Sequence, residues 1–479
     1  MDSSKIPPPS DDAPETPAEQ FSSEEIQEFD DHHTKPLRLP DAELRRSLWL
    51  INVSWGWFGA AWMAVVMGAP FTAFAKYLGA GEFALGALSS LRFLAISAQV
   101  IGSYWVERTR NRKRIFFMMH IPARSTWLLV AALPLIIPNG MVDLRVGAFM
   151  LVLFCFSIMD AIASVAWNPW VADIIPDRVR ARYLSQRQRI STVTALLAAT
   201  GAAWLLDRQP EGAGYMYTIL FAVAAVCGLI DVLMYFFVPN VPMIKRPALR
   251  LSEVMRKPLA DLRFRSYLVY TASTTVSGSI FGTFIWLYAF DVLKLSKSES
   301  NLYIVIISSI ATIVTTRAGG TLADRFGSKS VLLVSWIGMV ITPFLWALAT
   351  PHSRGLMIAA SILGGVSGGI TMMLALNMTF SYTPRAARSA YIALNSMASG
   401  LAGFIAPMLV GGIAESIKHI QVDFLWWHFG NLHLMFIFVG FYRLAHMLII
   451  VPRLPEERKT TSARQMLREL ITGWSRPRV

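Results

Sequence analysis

Long apolar stretches alternate with short polar turns through most of the chain. A stretch must hold roughly 20 residues to cross the ~30 Å hydrocarbon layer of a bilayer as a helix. Spanning segments must also satisfy their own backbone hydrogen bonds, which favours helices over the shorter, alternating strands of a barrel. The pattern predicts an all-α integral membrane protein with twelve transmembrane helices, at residues 47–77, 83–106, 115–137, 145–171, 189–206, 216–238, 267–292, 301–322, 330–350, 355–382, 389–417 and 433–452.

The first 46 residues differ from this pattern, because they are polar and rich in proline and acids. They predict a disordered tail. No short basic start with a cleavable apolar core precedes the first stretch, so no signal peptide is expected.

Composition agrees with a membrane protein. Hydrophobic residues make up 54% of the chain and charged residues 16%, whereas soluble domains carry about a quarter charged residues. The formal net charge of +13 comes mostly from Lys and Arg on one side of the predicted helices. Few lie on the other side: Lys76, Arg145, Arg208, Lys294, Lys297, Arg354 and Lys418. By the positive-inside rule both termini are cytoplasmic, and no nucleic-acid partner is needed to explain the charge.

Residues 320–329 form a polar turn between the eighth and ninth predicted helices. The turn resembles the signature loop of the major facilitator superfamily, which has a Gly, a Leu-Ala-Asp-Arg core, a second Gly and a basic residue. The matching residues are Gly320, Leu322, Ala323, Asp324, Arg325, Gly327 and Lys329. The resemblance implies a secondary transporter whose two halves rock about a central solute site.

Two weak repeats indicate that the chain is built from two similar halves. In the segment 103–113, Glu107 and Arg108 stand where Asp324 and Arg325 stand in the signature turn, although both glycines are missing. A second pattern shares its Pro, Arg and Tyr spacing: Asn168, Pro176, Arg180 and Tyr183 match Asn377, Pro384, Arg388 and Tyr391. We therefore expect two pseudo-symmetric six-helix bundles, 47–238 and 267–453, joined by a cytoplasmic linker, 239–266.

The C-terminal tail, 454–479, has apolar residues at spacings of three and four. This spacing predicts an amphipathic helix that lies on the inner membrane surface against anionic lipid.

By the same resemblance, the signature turn gates the cytoplasmic side. Asp324 would face the start of the fifth helix and Glu107 the start of the eleventh, each favoured by a helix N-terminus. Arg325, Lys329 and Arg108 would bridge nearby acceptors, while Gly320 and Gly327 allow close approach and a positive φ. Asp173 either joins this network through Arg108 or is simply solvated. The alternative for the whole turn is a solvated loop that only sets topology.

Ionisable residues inside the predicted helices are functional candidates, because an unpaired charge in hydrocarbon costs several kcal/mol. They are Arg92, Arg124, Asp160, Asp231, Arg317 and Arg443. In the family that the chain resembles, the first, fourth, seventh and tenth helices line the cavity, so Asp160 is the first candidate for proton coupling and Asp231 the second. The alternative is structural pairing of Asp160 with Arg92 or Arg124, and for Asp231, Arg124 and Arg443 pairing is favoured.

The same helices carry candidate cavity residues for a small polar solute: Trp55, Trp62, Arg92, Asn168, Thr274 and Asn377. Trp286 and Tyr288 are expected instead to anchor the seventh helix at the membrane interface.

No enzyme motif, metal-ligand spacing or cofactor loop occurs, and both cysteines, Cys155 and Cys227, lie in predicted helices. We therefore expect proton-coupled symport or uptake of a small solute by a monomer in a bacterial inner membrane, with lipid and a proton as further partners. A proton-coupled efflux antiporter is an alternative, although residues 190–206 lack the proline typical of drug antiporters. A non-transporting sensor or scaffold on the same fold is another.

Overall fold

The structure is a computed structural model and describes residues 40–208, 210, 214–241, 256, 258–383, 388–424 and 427–455. Twelve long helices, α1 to α12, follow the twelve predicted stretches and confirm the predicted fold class. Their bounds are α1 Asp41–Met67, α2 Glu82–Thr109 with a 3-10 turn at Ile96–Ala98, α3 Arg112–Ile136, α4 Val142–Ile174, α5 Asp177–Asp207, α6 Tyr215–Met234, α7 Leu262–Asp291, α8 Lys297–Phe326, α9 Ser328–Ala347, α10 Arg354–Ser381, α11 Arg388–Ser416 and α12 Asn431–Ala445. The predicted N-terminal tail, most of the linker and the amphipathic C-terminal helix lie outside the described residues.

Several helices depart from regular α geometry. A π turn, Ser54–Gly59, interrupts α1, and α1 breaks at Gly68 before continuing as the short helix Ala69–Tyr77. The break occurs where Gly68 is extended and Pro70 begins the next helix, as expected for a residue that cannot extend the preceding helix. Further π turns lie at Leu302–Ile307 in α8 and His446–Ile450 after α12. Such turns are frequent at functional sites.

Helix α7 lacks the long apolar stretch that the other eleven helices contain. By length and composition, eleven helices of the described chain could cross a membrane, and α7 is the one that does not reach that threshold. Hydroxyl side chains of α7 form hydrogen bonds with backbone carbonyls one turn earlier in the same helix. Thr274 Oγ1 donates to Tyr270 O at 2.8 Å, and Thr275 Oγ1 donates to Thr271 O at 2.9 Å. The neighbouring helices supply the apolar cover that α7 lacks.

A short hairpin is the only strand pairing in the described residues, and the all-α prediction did not include it. Strands β1, Val422–Phe424, and β2, Trp427–Phe429, pair antiparallel between α11 and α12.

The turns after α2 and α8 each contain a residue with a positive φ. Gly327 has a φ of +89°, and Arg110, which aligns with it, has a φ of +51°. A positive φ is uncommon for a residue with a side chain. The two turns still differ, because ψ is 20° at Arg110 and 146° at Gly327. Asn111 Oδ1 caps α3 by accepting from Arg114 N at 3.0 Å.

The second repeat also places equivalent residues in equivalent contacts. Tyr183 Oη donates to Leu48 O in α1 at 2.8 Å, and Tyr391 Oη donates to Asp261 Oδ2 at the start of α7, at 3.3 Å. In each half the tyrosine ties the start of the fifth helix to the first helix of that half.

The two halves share one of the three buried apolar clusters formed by the described residues. We call the membrane side on which α1 begins and α12 ends the terminal face, and the other side the distal face. Near the distal face one buried apolar cluster includes residues of both halves, such as Phe74 and Tyr217 with Phe284 and Phe436. Near the terminal face each half has a separate cluster. The described residues therefore show a transporter-like bundle closed at its distal face.

Candidate functional site

Four ionisable side chains meet inside the N-terminal half, near the middle of the membrane. Arg124 Nη1 of α3 lies 3.1 Å from Asp160 Oδ1 of α4, and its Nη2 lies 3.9 Å from Asp231 Oδ2 of α6. His120 Nε2, one turn before Arg124, lies 3.3 Å from the same Asp160 oxygen. Ser54 Oγ, in the π turn of α1, donates to Asp231 Oδ1 at 2.8 Å. We call these five residues the charge cluster.

Packing fixes the central arginine of the charge cluster. The Arg124 guanidinium lies 3.5 Å from the centroid of the Trp62 ring, a cation–π contact. A Cβ added at Gly228 would lie 2.9 Å from both Arg124 Cδ and Trp62 Cδ1, so only glycine leaves room here. Trp62 is 2% exposed and also packs on Trp127 and Phe156. Its expected place on the cavity wall is therefore wrong, because the ring fills the interior of the bundle.

The two acids of the charge cluster differ in access to solvent. The Asp160 side chain is 37% exposed, whereas that of Asp231 is 6% exposed. Of the two arginines considered for Asp160, Arg124 makes the contact. Arg92 instead donates to Val66 O at 3.0 Å, contacts Met67 Sδ and lies 4.2 Å from the Phe71 ring centroid. It braces α2 against the end of α1, beside the break at Gly68.

The C-terminal half holds a buried basic residue on its last helix. Arg443 of α12 is 2% exposed. It donates to Ser277 Oγ at 2.6 Å and to Met339 O at 2.7 Å. Next to it, Ser273 Oγ is hydrogen-bonded to His446 Nδ1 at 2.7 Å and to Tyr442 Oη at 2.8 Å. These contacts agree with a structural role for Arg443.

Candidate cavity residues of the N-terminal half lie together toward the terminal face. Trp55 and the neighbouring Trp167 are half-buried with ring centroids 6.0 Å apart, and Asn168 is exposed. The structure adds Arg187 of α5, whose guanidinium lies 5.8 Å from the Trp55 ring centroid and 5.2 Å from that of Trp167. Sequence reasoning missed Arg187 because the apolar stretch begins only at residue 189, whereas α5 begins ten residues before Arg187.

In the C-terminal half, the candidate cavity residues are half-buried Thr274, on α7, and exposed Asn377, on α10. Trp286 and Tyr288 are 8% and 0% exposed. The expectation that they anchor α7 at the membrane interface is wrong, because both side chains pack inside the bundle, Tyr288 on Phe436 and His433.

The signature turn is described only in part. The side chains of Glu107, Asp324 and Arg317 lie outside the description, so their predicted contacts stay predictions. A Cβ at Gly320 would meet only Met373 Sδ, at 3.7 Å, whereas at Gly319 it would lie 2.8 Å from Ile370 Cγ1. The close approach of α8 to α10 thus falls one residue earlier than expected.

Asp173 has a different partner from the one expected. Its Oδ2 lies 2.5 Å from Arg112 Nη1, while Arg108 Nη1 donates to Tyr104 Oη at 3.0 Å within α2. The Arg108–Asp173 pairing is therefore wrong. The αL conformation of Arg110 ends α2 before the chain reaches α3, and the arginine at the start of α3 reaches Asp173.

Polar contacts between the halves lie at the distal face. Asp207, at the end of α5, accepts from Lys297 N and Ser298 N, each at 2.8 Å. Asn301 Nδ2 of α8 donates to Thr200 Oγ1 at 3.2 Å, and Lys76 forms an ion pair with Asp291. We call these contacts the distal gate.

A second group joins α2 to α11 and α12 at the same face. Glu415 Oε2 accepts from Phe83 N at 2.9 Å, and Glu82 Oε1 accepts from Asn431 Nδ2 at 3.2 Å. Pro407 O of α11 approaches Gly86 of α2 so closely that a Cβ there would clash with it. The distal face is thus closed by hydrogen bonds as well as by apolar packing.

Comparison with known proteins gives the family. The Major Facilitator Superfamily model matches residues 55–319 and 267–478. The cis,cis-muconate transport protein of Acinetobacter baylyi is 26% identical over 265 residues, which is 52% of this chain and 62% of that protein. The quinolone resistance protein NorA of Staphylococcus aureus is 25% identical over 132 residues, 26% of this chain and 32% of that protein. The matched regions thus span less than two thirds of either relative.

Solved structures agree in fold. A bacterial homolog of the human lysosomal transporter Spinster, in an inward-facing and unoccupied conformation, gives a TM-score of 0.63 at 14% identity, over 90% of this chain and 99% of that one. The family match covers more than half of the chain, and the fold agrees with it. The chain belongs to the Major Facilitator Superfamily.

Proposed function

We propose that the protein is a proton-coupled secondary transporter that takes up a small polar solute by alternating access, with Asp160 as the proton-carrying group. The observation that carries this proposal is the position of Asp160: it lies in the middle of the long helix α4, it is paired with Arg124 and His120, and its side chain is 37% exposed. Asp160 is fourteen residues from the end of α4, or ~20 Å along the helix. An intramembrane acid with access to water is suited to a proton relay.

Protonation of Asp160 would change how α3 and α4 are held together. The ionised carboxylate attracts Arg124 and His120, and a proton on Asp160 removes that attraction. Arg124 then keeps only Asp231 as an acidic partner within 4.0 Å among the described residues. Because Asp231 is tied to α1 by Ser54, the change is transmitted from α4 to α1 and α6, three helices of one half.

The closed distal face supports alternating access with the terminal face as the open side. We propose that both termini are cytoplasmic, in a bacterial inner membrane, and that this state faces inward. Asp207, Lys76 and Glu415 would then close the outer side. We further propose a monomer.

The direction of transport is inferred from the sequence of α5. The names of the two relatives include a transport protein and a resistance protein. Uptake is favoured because α5, Asp177–Asp207, contains no proline, whereas drug antiporters are expected to carry one there. Efflux by antiport remains the second candidate, and the intact charge cluster speaks against a sensor that has lost transport.

The test uses purified protein in vesicles with an imposed pH gradient and a panel of labelled solutes. Uptake predicts accumulation when the side that holds the solute is the more acidic, and antiport predicts the opposite sign. Asp160→Asn should abolish accumulation yet retain exchange of solute at equal pH. Asp143→Asn, at an exposed acid of the distal face, is the matched control and should transport normally. Equal accumulation by wild type and Asp160→Asn would refute the coupling role.

A further inference from the structure

Arg187 is a basic residue inside the bundle that the charge cluster does not use. It is half-buried on α5, ten residues from the start of that helix, which places it ~15 Å from the terminal face. Its guanidinium lies against two indole rings, 5.2 Å from the centroid of Trp167 and 5.8 Å from that of Trp55.

Among the described residues, no carboxylate forms an ion pair with this arginine. Among the described residues no carboxylate lies within 4.0 Å of Arg187, and no hydrogen bond from it is formed. Asp231 is within electrostatic range, but its carboxylate is already bound by Ser54 and faces Arg124. A partly desolvated cation without a bound carboxylate is costly in a membrane, so this position favours an anion from outside the chain.

A second polar group on the same helix pair also lacks a partner. The side-chain oxygen of Asn52 is buried and has no hydrogen-bond partner among the described residues. Asn52 lies one turn before Trp55 on α1, beside Gly56, and a Cβ at Gly56 would lie 3.1 Å from Ile190 Cγ2 of α5. The face of α1 that carries Asn52 and Trp55 therefore packs on the face of α5 that carries Arg187. The amide can accept from a hydroxyl or, turned over, donate to an oxygen.

From these contacts we infer that Arg187, Trp55, Trp167 and Asn52 form a binding site for a small organic carboxylate with a flat, unsaturated body. The guanidinium binds the carboxylate in the bidentate geometry that arginine favours. The two indole faces contact the flat body, which aromatic side chains prefer at offset or tilted angles. Exposed Asn168, next to Trp167 on α4, indicates that the site is reached from the terminal side.

This inference rests on the proposed transport function, since it names the class of solute that the same cavity takes. It goes beyond that function by assigning a charge to the solute and a residue to recognise it. With a neutral solute, the guanidinium of Arg187 would contact only the two indole rings in both the empty and the loaded protein.

Binding is measured on the purified full chain, without any gradient, by thermal unfolding with three probes. Benzoate carries both the carboxylate and a flat body, benzamide keeps the shape without the charge, and acetate keeps the charge without the body. Benzoate should raise the melting temperature in a saturable manner, at concentrations where benzamide and acetate have little effect. Equal shifts from benzoate and benzamide, or no shift from benzoate up to about 10 mM, would overturn the inference without any variant.

Two variants then locate the site. Arg187→Gln should weaken benzoate binding at least roughly tenfold, about 1.4 kcal/mol. Arg189→Gln, which removes the same charge from an exposed position two residues along α5, should bind benzoate like wild type. Unchanged affinity in a monodisperse Arg187→Gln protein would place the anion elsewhere and reject the site.

The two proposals fail in distinguishable ways. Binding of benzoate that depends on Arg187, without transport of any probe in vesicles, keeps the site and rejects the transport function. Transport of a neutral solute driven by a pH gradient, with no binding of benzoate, keeps the transport function and rejects the site.

Discussion

The carboxylate of Asp207, in the N-terminal half, caps the helix that begins at Lys297, in the C-terminal half. It accepts from the backbone N–H of Lys297 and from that of the next residue, each at 2.8 Å. Ser296 accepts from Glu299 N at 3.1 Å and completes a capping box. The first N–H groups of a helix have no partner inside it, so the start of α8 is fully satisfied only while the halves are closed at the distal face.

We therefore predict that Asp207→Ala opens the distal face. The variant removes two charge-assisted hydrogen bonds of a helix cap, worth about 0.5–2 kcal/mol, from the closed state alone. Distances between spin labels at Met141 and His419, on the distal side of either half, should shift toward a longer population. Asp143→Ala, at an exposed acid of the same face, should leave the distribution unchanged. An unaltered distribution in Asp207→Ala would mean that apolar packing alone closes this face.

A second prediction concerns the close approach of α2 and α11. A Cβ at Gly86 would clash with Pro407 O and lie 3.5 Å from the Cα of Gly411. Because backbone atoms cannot move aside as a flexible side chain can, Gly86→Ala should separate the halves distally and slow transport. Gly147→Ala, where nothing lies within 4 Å of the added Cβ, is the matched control. Equal flux from the two variants would contradict the prediction.

The third prediction concerns the centre of the charge cluster. Arg124→Met should destabilise the protein by about 3–5 kcal/mol, because it leaves buried Asp231 and its neighbour Asp160 without their shared cation. Chemical unfolding in detergent measures the loss. The double variant Arg124→Met/Asp231→Asn should recover part of it, since the unpaired buried charge is gone. Failure of the second change to restore any stability would show that the cost is lost packing on Trp62.

The fourth prediction addresses the signature turn. Asp324→Asn should lower the transport rate roughly tenfold, about 1.4 kcal/mol in the barrier, while folding and expression stay normal. Glu107→Gln should have a smaller effect, because its turn lacks both glycines of the signature. Initial rates in vesicles of matched protein content give the comparison. A normal transport rate in Asp324→Asn would show that the turn determines only the membrane topology and does not gate transport.

Topology gives the fifth prediction. In a background of Cys155→Ser and Cys227→Ala, a cysteine placed at Ser353 should react with an impermeant reagent added outside intact cells, and one placed at Ser462 should not. The reason is the excess of Lys and Arg on the terminal side. Reaction at position 462 from outside would reverse the orientation and make the closed distal face cytoplasmic.

The sequence by itself determined the fold and the family. Twelve apolar stretches of membrane length leave few alternatives to helices, because hydrocarbon offers no partner for an open backbone. The signature turn and its weak copy led to the prediction of two halves, and each of the two turns contains a residue with a positive φ. Local chemistry was enough for these conclusions.

Only the tertiary structure identified the partners of individual side chains. Asp160 had two candidate arginines by position, and only the packing of α3 against α4 selected Arg124. Trp62 and Tyr288 are residue types that are common in transport cavities and at membrane interfaces, yet both side chains are buried. Arg187 precedes the predicted apolar stretch 189–206, whereas α5 begins at Asp177. Hydropathy marks where a helix becomes apolar, and it does not mark where the helix begins.

The distal gate could not be predicted from the chain at all. Asp207 and Lys297 are ninety residues apart and belong to no shared motif, because a carboxylate that caps a helix needs only the right place in space. A sequence pattern indicates whether a segment is exposed to water or to lipid and whether it forms its own backbone hydrogen bonds. The face at which the two halves come together depends on how the twelve helices pack. Only the tertiary structure decided that packing.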